Sequence, residues 1–349
     1  MKDKFDKNLS VENIAFDDTV KLYDITKKPF RLYGNCDKAE NIFSRMPENI
    51  AKTVSEGVLD RAKRCAGVRL RFKTNSRRLG IRVKFSKALQ FPTQTAISTK
   101  GFDVYVDGKY SCSICAQDVA SFSYENTIDL KNANEKDIVI YFPYNAVIDE
   151  FFIALDKNSE VYAGNDYTIK IPIVFYGSSI THGFCVSRPG NTFTAMLSRR
   201  LNADYINLGF SGVCRGEENM AQYLATLEKS VLVCGYDHNE QSLSNLKERH
   251  LPFYIKFRET DKESPILFVS SPNSICNGEV MYERMKVVEK TYEYALANGD
   301  KNVYFLSGQT IYPDEIRFDC VADTIHPNDL GAYMIAEKMY EPLKKILYK

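Results

Sequence analysis

The chain has no tryptophan, no run of apolar residues near the roughly 20 needed to span a bilayer, and almost no net charge. Its 349 residues carry 46 Lys and Arg against 45 Asp and Glu, a formal charge of +1, with the basic residues spread along the chain. That balance gives no electrostatic footing for a nucleic-acid backbone or an anionic membrane surface, so neither is expected as a partner. No internal repeat or low-complexity tract is visible. The first residues, Met1 to Lys7, are charged with no apolar stretch behind them, and read as no secretory leader.

Nine cysteines are present, an odd number, scattered and often inside apolar runs (Cys185, Cys214, Cys234, Cys320). They read as free buried thiols of a cytoplasmic protein rather than a disulfide framework. Cys112-Ser113-Ile114-Cys115 has the spacing of half a zinc site, but no second Cys or His pair accompanies it, and no metal or cofactor is expected. What the chain does have is aromatic rings, 22 Tyr and 21 Phe, enough for stacking surfaces without Trp.

The length favours two domains. Val68–Phe72 and Gly80–Phe85 alternate apolar and charged residues, the pattern of half-buried strands. Phe102–Val106 and Lys109–Ser111 flank Asp107-Gly108, a hairpin whose turn residues tolerate positive φ. With Ile138–Phe142 and Val147–Leu155 these strands predict an N-terminal all-β, jelly-roll-like sandwich over 1–165. Asn158–Asn165, polar and containing Gly164, reads as the linker.

Beyond it the period changes. Ile171–Tyr176, Tyr205–Leu208, Val231–Cys234, Ile266–Val269 and Val303–Leu306 are short apolar runs separated by helical patterns. The last helix spans about Asp329–Ile346. Strands covered on both faces and alternating with helices predict a five-stranded parallel sheet in an α/β/α domain over 166–349.

Ligands of such sheets collect at the carboxyl ends of the strands. Four polar segments sit there: Gly177-Ser178-Ser179-Ile180, Asn207-Leu208-Gly209-Phe210-Ser211-Gly212, Gly235-Tyr236-Asp237-His238-Asn239, and Asp323-Thr324-Ile325-His326-Pro327. A serine needs a base to become a nucleophile, and His326 is the candidate, with Asp323 to orient it. The Ser179 and Gly212 amides and the Asn239 side chain are candidate donors to an oxyanion. Asn239 is the only amide of its segment, and the carboxylate of neighbouring Asp237 cannot donate when ionised. His182, His238 and Arg188 are possible substrate contacts. For the histidines a place on the rim is the alternative to a base, and for Arg188 a structural ion pair is as good a reading as a substrate contact.

These segments resemble the blocks of the GDSL, or SGNH, hydrolase superfamily, with Ser178 where Asp is usual and with Asp237, by strict spacing from Gly235, where the third block has Asn, so that the resemblance leaves Asn239 and Asp237 competing for that position. Gly101-Phe102-Asp103-Val104-Tyr105 is similar to the Gly-x-Asp-Leu-Tyr signature of the N-terminal β-domain found in one branch of it. The resemblance implies a flavodoxin-like fold and a serine esterase acting on short acyl esters, acetyl above all, of a small molecule or oligosaccharide. A catalytically weak carbohydrate-binding protein and an acyltransferase with the same triad are the rival readings. Asp103 is either sandwich core or a brace for a loop at the catalytic face. Oligomeric state is not legible.

Overall fold

The structure, a computed structural model, describes residues 16–273 and 278–348. The reading of Met1 to Lys7 lies outside the described residues. Two antiparallel sheets face each other in the N-terminal part. One has the order Val20–Asp24, Ala146–Asp156, Arg78–Ala88, Ser123–Asp129. The other runs Val161–Ala163, Arg69–Thr74, Lys136–Tyr141, Phe102–Val106, Lys109–Ile114, with Arg31–Tyr33 also paired to Arg69–Thr74. Alternation along each strand builds the core between them: Leu79, Ile81, Val83 and Phe85 from one sheet meet Leu70, Phe72, Phe102, Val104, Ile138 and Ile140 from the other.

The expected hairpin turns at Asp107 (φ 50°) and Gly108 (φ 77°), both in the left-handed region that a tight two-residue loop requires. The segment read as a linker is not free chain: Val161–Ala163 within it adds to the edge of Arg69–Thr74. Polar Ser123–Asp129 and two short helices, Glu48–Val54 and Glu56–Ala62, carry little apolar periodicity and were not expected.

The second part is a parallel sheet in the order Ala203–Gly209, Ile169–Gly177, Val231–Gly235, Ile266–Val269, Val303–Leu306. This 2-1-3-4-5 order is that of flavodoxin-like folds, with its switch point between the first and third strands. Both faces are covered, as the unbroken apolar runs require. Ile173, Phe175, Val231 and Val233 pack beneath the helices Phe193–Leu201 and Asp329–Leu347. Val174, Tyr176, Leu232 and Cys234 pack beneath Glu218–Thr226, Leu243–Thr260 and Gly278–Ala297. Met46, Ala51, Val58, Leu59 and Ala62 join that second core, so the helical pair near the N-terminus serves the parallel sheet rather than the sandwich.

The outer face of the six-stranded sheet closes onto the parallel sheet's helices. Alternation sends Phe102 and Val104 into the sandwich, while Tyr105, Val139 and Tyr141 join the core of the helix Phe193–Leu201. Arg69, wholly buried, crosses the same junction to the Tyr205 carbonyl (3.0 Å), the Tyr167 hydroxyl (2.6 Å) and Asp204. Among the described residues no helix is long and apolar enough to cross a membrane, and the eight cysteines are free.

Candidate active site

The first parallel strand ends at Gly177, and the chain turns at once into the one-turn helix Ser179–His182. A side chain at Gly177 would collide with Thr181 Oγ1 and the Gly235 carbonyl, so only glycine lets the turn close this tightly. Ser178 caps the helix: its hydroxyl accepts from the Ile180 N–H (3.2 Å) and its own N–H donates to the Gly235 carbonyl (3.2 Å). Asp and Ser cap helices about equally well, which explains why serine serves where the resembling family has aspartate. Ser179 is the first helical residue, and its N–H is one that no carbonyl within the helix can satisfy.

Ser179 Oγ lies 2.8 Å from His326 Nε2, and His326 Nδ1 lies 2.8 Å from Asp323 Oδ2. The other carboxylate oxygen of Asp323 accepts the backbone N–H groups of Ile325 (2.8 Å) and His326 (2.7 Å). The three-residue offset thus makes a closed turn in which the carboxylate fixes both the loop and the ring. Burial alone would raise the Asp323 carboxyl. The His326 N–H, the His326 ring and the Ile325 N–H outweigh burial and hold it below the usual carboxylate range, as an anion facing the imidazole.

The second block lies against this turn. Phe210 N–H donates to the Gly177 carbonyl (2.8 Å), and Gly209 N–H to the side chain of buried Asn207 (2.9 Å). Gly212 is exposed and left-handed (φ 74°), with open space where a side chain would stand. In the third block Asp237 is turned away. It is buried, and its two oxygens accept the Ser271 N–H (3.0 and 3.1 Å) and hydroxyl (2.8 Å), anchoring the loop after the next strand. Asn239 is half-buried and gives one amide hydrogen to the Phe210 carbonyl (3.1 Å), which leaves its second hydrogen uncommitted by that bond.

Two of the suggested substrate contacts are corrected by their surroundings. His182 is wholly buried, with Nε2 2.7 Å from the Tyr144 carbonyl; burial, then the charges of Arg45 and Arg64, push its imidazole far below the usual range. A ring held this way braces the turn behind Ser179 and meets no substrate. Arg188 Nη1 is spent on Asp103 (2.8 Å) and the Tyr105 hydroxyl (3.0 Å), with its guanidinium stacked 3.8 Å from the Tyr110 ring centroid. The ion-pair reading of Arg188 and the brace reading of Asp103 are therefore two ends of one contact. His238 is different. It is half-buried, and its Nδ1 has no partner among the described residues, so it stays a candidate at the rim.

Residues outside the predicted catalytic and substrate-contact set complete the surroundings. The Phe184 ring lies 5.5 Å from the His326 ring and 5.7 Å from Phe91, an exposed residue of the sandwich. Cys185 Sγ donates to Thr93 Oγ1 (3.2 Å) on the same sandwich loop. Asp329, at the start of the last helix, accepts Ser187 N–H (2.8 Å) and the Asn191 amide (2.9 Å), tying the His326 loop to the loop that Asp103 holds. Buried Arg45 donates to the Asn207 (2.6 Å), Gly209 (3.0 Å) and Arg64 (2.7 Å) carbonyls, with no carboxylate among these partners; burial, then repulsion from Arg64, lowers its pKa to about 9. Apart from the Arg45–Arg64 bond, these contacts join segments more than 80 residues apart, and no local signal marks them.

A Ser–His–Asp hydrogen-bond chain at the switch point of a flavodoxin-like sheet defines an SGNH-type acylhydrolase. The chain belongs to the GDSL-like lipase/acylhydrolase family, whose model matches residues 170–344, and residues 20–161 match the GxDLY model for the N-terminus of SGNH-hydrolase-type esterases. Among solved structures it is similar to a GDSL-like lipase from Bacteroides ovatus ATCC 8483 (24% identity, TM-score 0.86, 94% of this chain and 98% of that one). It is also similar to a salicylyl acyltransferase of a tetracycline biosynthetic pathway (19%, TM-score 0.77, 95% and 98%). A family two carbohydrate esterase from Clostridium thermocellum, solved with cellohexaose, matches more distantly (16%, TM-score 0.59, 81% and 93%). No protein of curated function matches the sequence.

Proposed function

We propose that the protein is a serine esterase that removes short acyl groups, acetyl in the first place, from carbohydrate esters. The observation that carries this reading is the unbroken chain from Asp323 through His326 to Ser179, each link 2.8 Å. Ser179 Oγ attacks the acyl carbonyl while His326 Nε2 takes its proton, and Asp323 keeps the ring in the tautomer that leaves Nε2 free to accept. The Ser179 and Gly212 amides and the free hydrogen of the Asn239 amide receive the oxyanion. His326 then returns the proton to the departing alkoxide, and water, deprotonated by the same ring, releases the acid. Exposed Phe91, backed by buried Phe184 beside His326, offers an aromatic face of the kind on which a sugar stacks, and the likeness to a carbohydrate esterase supports the same substrate class. The free thiols favour a reducing compartment, as in the cytoplasm.

The test is a panel of p-nitrophenyl esters of increasing acyl length and of acetylated sugars, run on wild type and Ser179→Ala together with a serine-directed fluorophosphonate. Hydrolysis that is fastest for acetyl, lost in Ser179→Ala and accompanied by labelling of wild type alone supports the reading; equal rates in the two proteins sink it. The likeness to an acyltransferase favours one second reading, transfer of the acyl group to a hydroxyl acceptor instead of water. Product analysis with an added sugar acceptor separates the two.

A further inference from the structure

Cys185 has no part in the mechanism above, yet its sulfur stands beside the residues that do. Cys185 Sγ, one carboxylate oxygen of Asp323 and one ring nitrogen of His326 all lie within 4.8 Å of one another. The sulfur is aimed there. Its backbone is held in the left-handed region (φ 70°), uncommon for a residue with a side chain, and its thiol is pinned to Thr93 Oγ1 at 3.2 Å. Cys185 is only 7% exposed, but Asp323 and His326 keep 32% and 20% of their side chains accessible, so the cluster opens to solvent on their side.

From this convergence we propose that Cys185, Asp323 and His326 form an inhibitory binding site for a thiophilic divalent cation of the zinc class. One thiolate, one imidazole and one carboxylate are the donors such ions take, with water in the fourth position. With metal–sulfur and metal–nitrogen bonds of about 2.3 and 2.0 Å, tetrahedral geometry sets the donors roughly 3.5 Å apart. The sulfur, at most 4.8 Å from the other two donors, therefore has to close in by about 1.3 Å at most, within reach of side-chain rotation on the exposed Asp323 and His326. Binding is M²⁺ plus Cys–SH giving a metal thiolate and one proton, which leaves to solvent; nothing is oxidised or reduced.

Either ring nitrogen leads to the same result. A metal on Nε2 occupies the lone pair that would accept the Ser179 proton. A metal on Nδ1 displaces the Asp323 hydrogen bond and moves the remaining ring proton to Nε2, which then faces Ser179 as a donor. The inhibition rests on the proposed role of His326 as base; the binding itself does not.

The experiment uses the full chain and two probes, cadmium chloride for binding and zinc chloride for inhibition. Cadmium added to wild type and to Ser179→Ala should raise the ultraviolet thiolate-to-metal charge-transfer absorption with a one-equivalent component that is missing in Cys185→Ser, which keeps a hydroxyl for Thr93. Cys185→Ala serves should the serine variant not fold. Zinc should slow ester hydrolysis by wild type, a chelator should restore it, and Cys185→Ser should need roughly 10- to 100-fold more zinc for half-inhibition of its own rate. Magnesium, which avoids thiolates, should do nothing. Absorption that survives in both Cys185 variants, or half-inhibition unchanged by Cys185→Ser, overturns the site. If wild type hydrolyses no ester, the functional reading fails while the cadmium titration still decides the metal site.

Discussion

Replacing Asp103 tests whether the sandwich positions the catalytic loops. Its carboxylate is wholly buried and accepts three bonds, from Arg188 Nη1 (2.8 Å), Gly190 N–H (2.7 Å) and Ser113 Oγ (2.6 Å). Asp103→Ala removes both acceptor oxygens and all three bonds. Breaking a buried pair costs about 3–5 kcal/mol, mostly for the partner left behind. The Arg188 side chain is 21% exposed and keeps its stacking on Tyr110, so the cation can reach water and the lower end applies. The stranded Gly190 N–H, also buried, adds about 1 kcal/mol or more. The sum is about 4 kcal/mol, read as a lower urea midpoint. Asp103→Asn, which keeps one acceptor oxygen, should lose about half of that.

The activity should fall as well, and for a specific reason. Ser187 and Asn191 hold Asp329, which follows His326 by three residues, so a loosened Ser187–Asn191 loop loosens the histidine. Misplacing a catalytic group by about 1 Å can cost about 100-fold. We expect kcat for p-nitrophenyl acetate to fall by roughly tenfold to 100-fold in Asp103→Ala, with KM changing far less, under conditions where the variant remains folded. An unchanged urea midpoint would refute the energetic reasoning. A lowered midpoint with unchanged kcat would refute the coupling to His326 and leave Asp103 a purely structural brace.

Asn239→Ala should lower kcat about 10²- to 10³-fold with little change in KM, if its amide receives the oxyanion; steady-state kinetics check this, and an equal loss in Asp237→Asn would contradict the assignment of Asp237 to the Ser271 anchor. Phe91→Ala should raise KM for an acetylated oligosaccharide several-fold, consistent with about 1 kcal/mol of stacking, and leave p-nitrophenyl acetate nearly unaffected, as competition between the two substrates would show. Buried His250 bonds Thr291 Oγ1 (2.8 Å), and burial pushes its pKa down to about 3. Its neutral form therefore stabilises the fold fully above the unfolded pKa near 6.5, and that stability is lost as pH falls toward 3, at up to about 1.4 kcal/mol per pH unit. Urea midpoints at pH 7 and pH 5 should differ less in His250→Gln than in wild type.

The parallel sheet was legible because its strands are buried on both faces and carry unbroken apolar runs: Ile266–Val269 and Val303–Leu306 fall where the runs do. Ser123–Asp129 was not, since half of it faces solvent and its apolar partners lie on other strands. The helices Glu48–Val54 and Glu56–Ala62 failed for a related reason. Each has only seven residues, too few to show a period, and the core they cover belongs to a sheet that begins more than 100 residues later. Within the site, Ser179, His326 and Asp323 could be picked out because each directly follows a strand or completes a short motif. Orientation was not available from position alone. His182 and His238 both sit in strand-end loops, yet one ring is wholly buried and locked behind the turn and the other is only half-buried.

The third block shows why motif spacing is a poor guide to which atom faces a reaction. Counting from Gly235 selects Asp237, but the one-turn helix Asp237–Asn239 rotates successive side chains by about a third of a turn each. One residue must then point back into the sheet, and a carboxylate does so at tolerable cost only because the Ser271 N–H and hydroxyl meet it. Asn239, two residues on, falls on the side of Phe210 and the Gly212 loop. Asp103 follows the same logic on a strand. Alternation turns it out of the sandwich core that Phe102 and Val104 enter, and a buried carboxylate there demands donors, of which the described residues of the sandwich supply Ser113. Arg188 and Gly190 supply the rest, so the charge that would be a liability in an isolated sandwich becomes the contact that binds it to the loop beside His326.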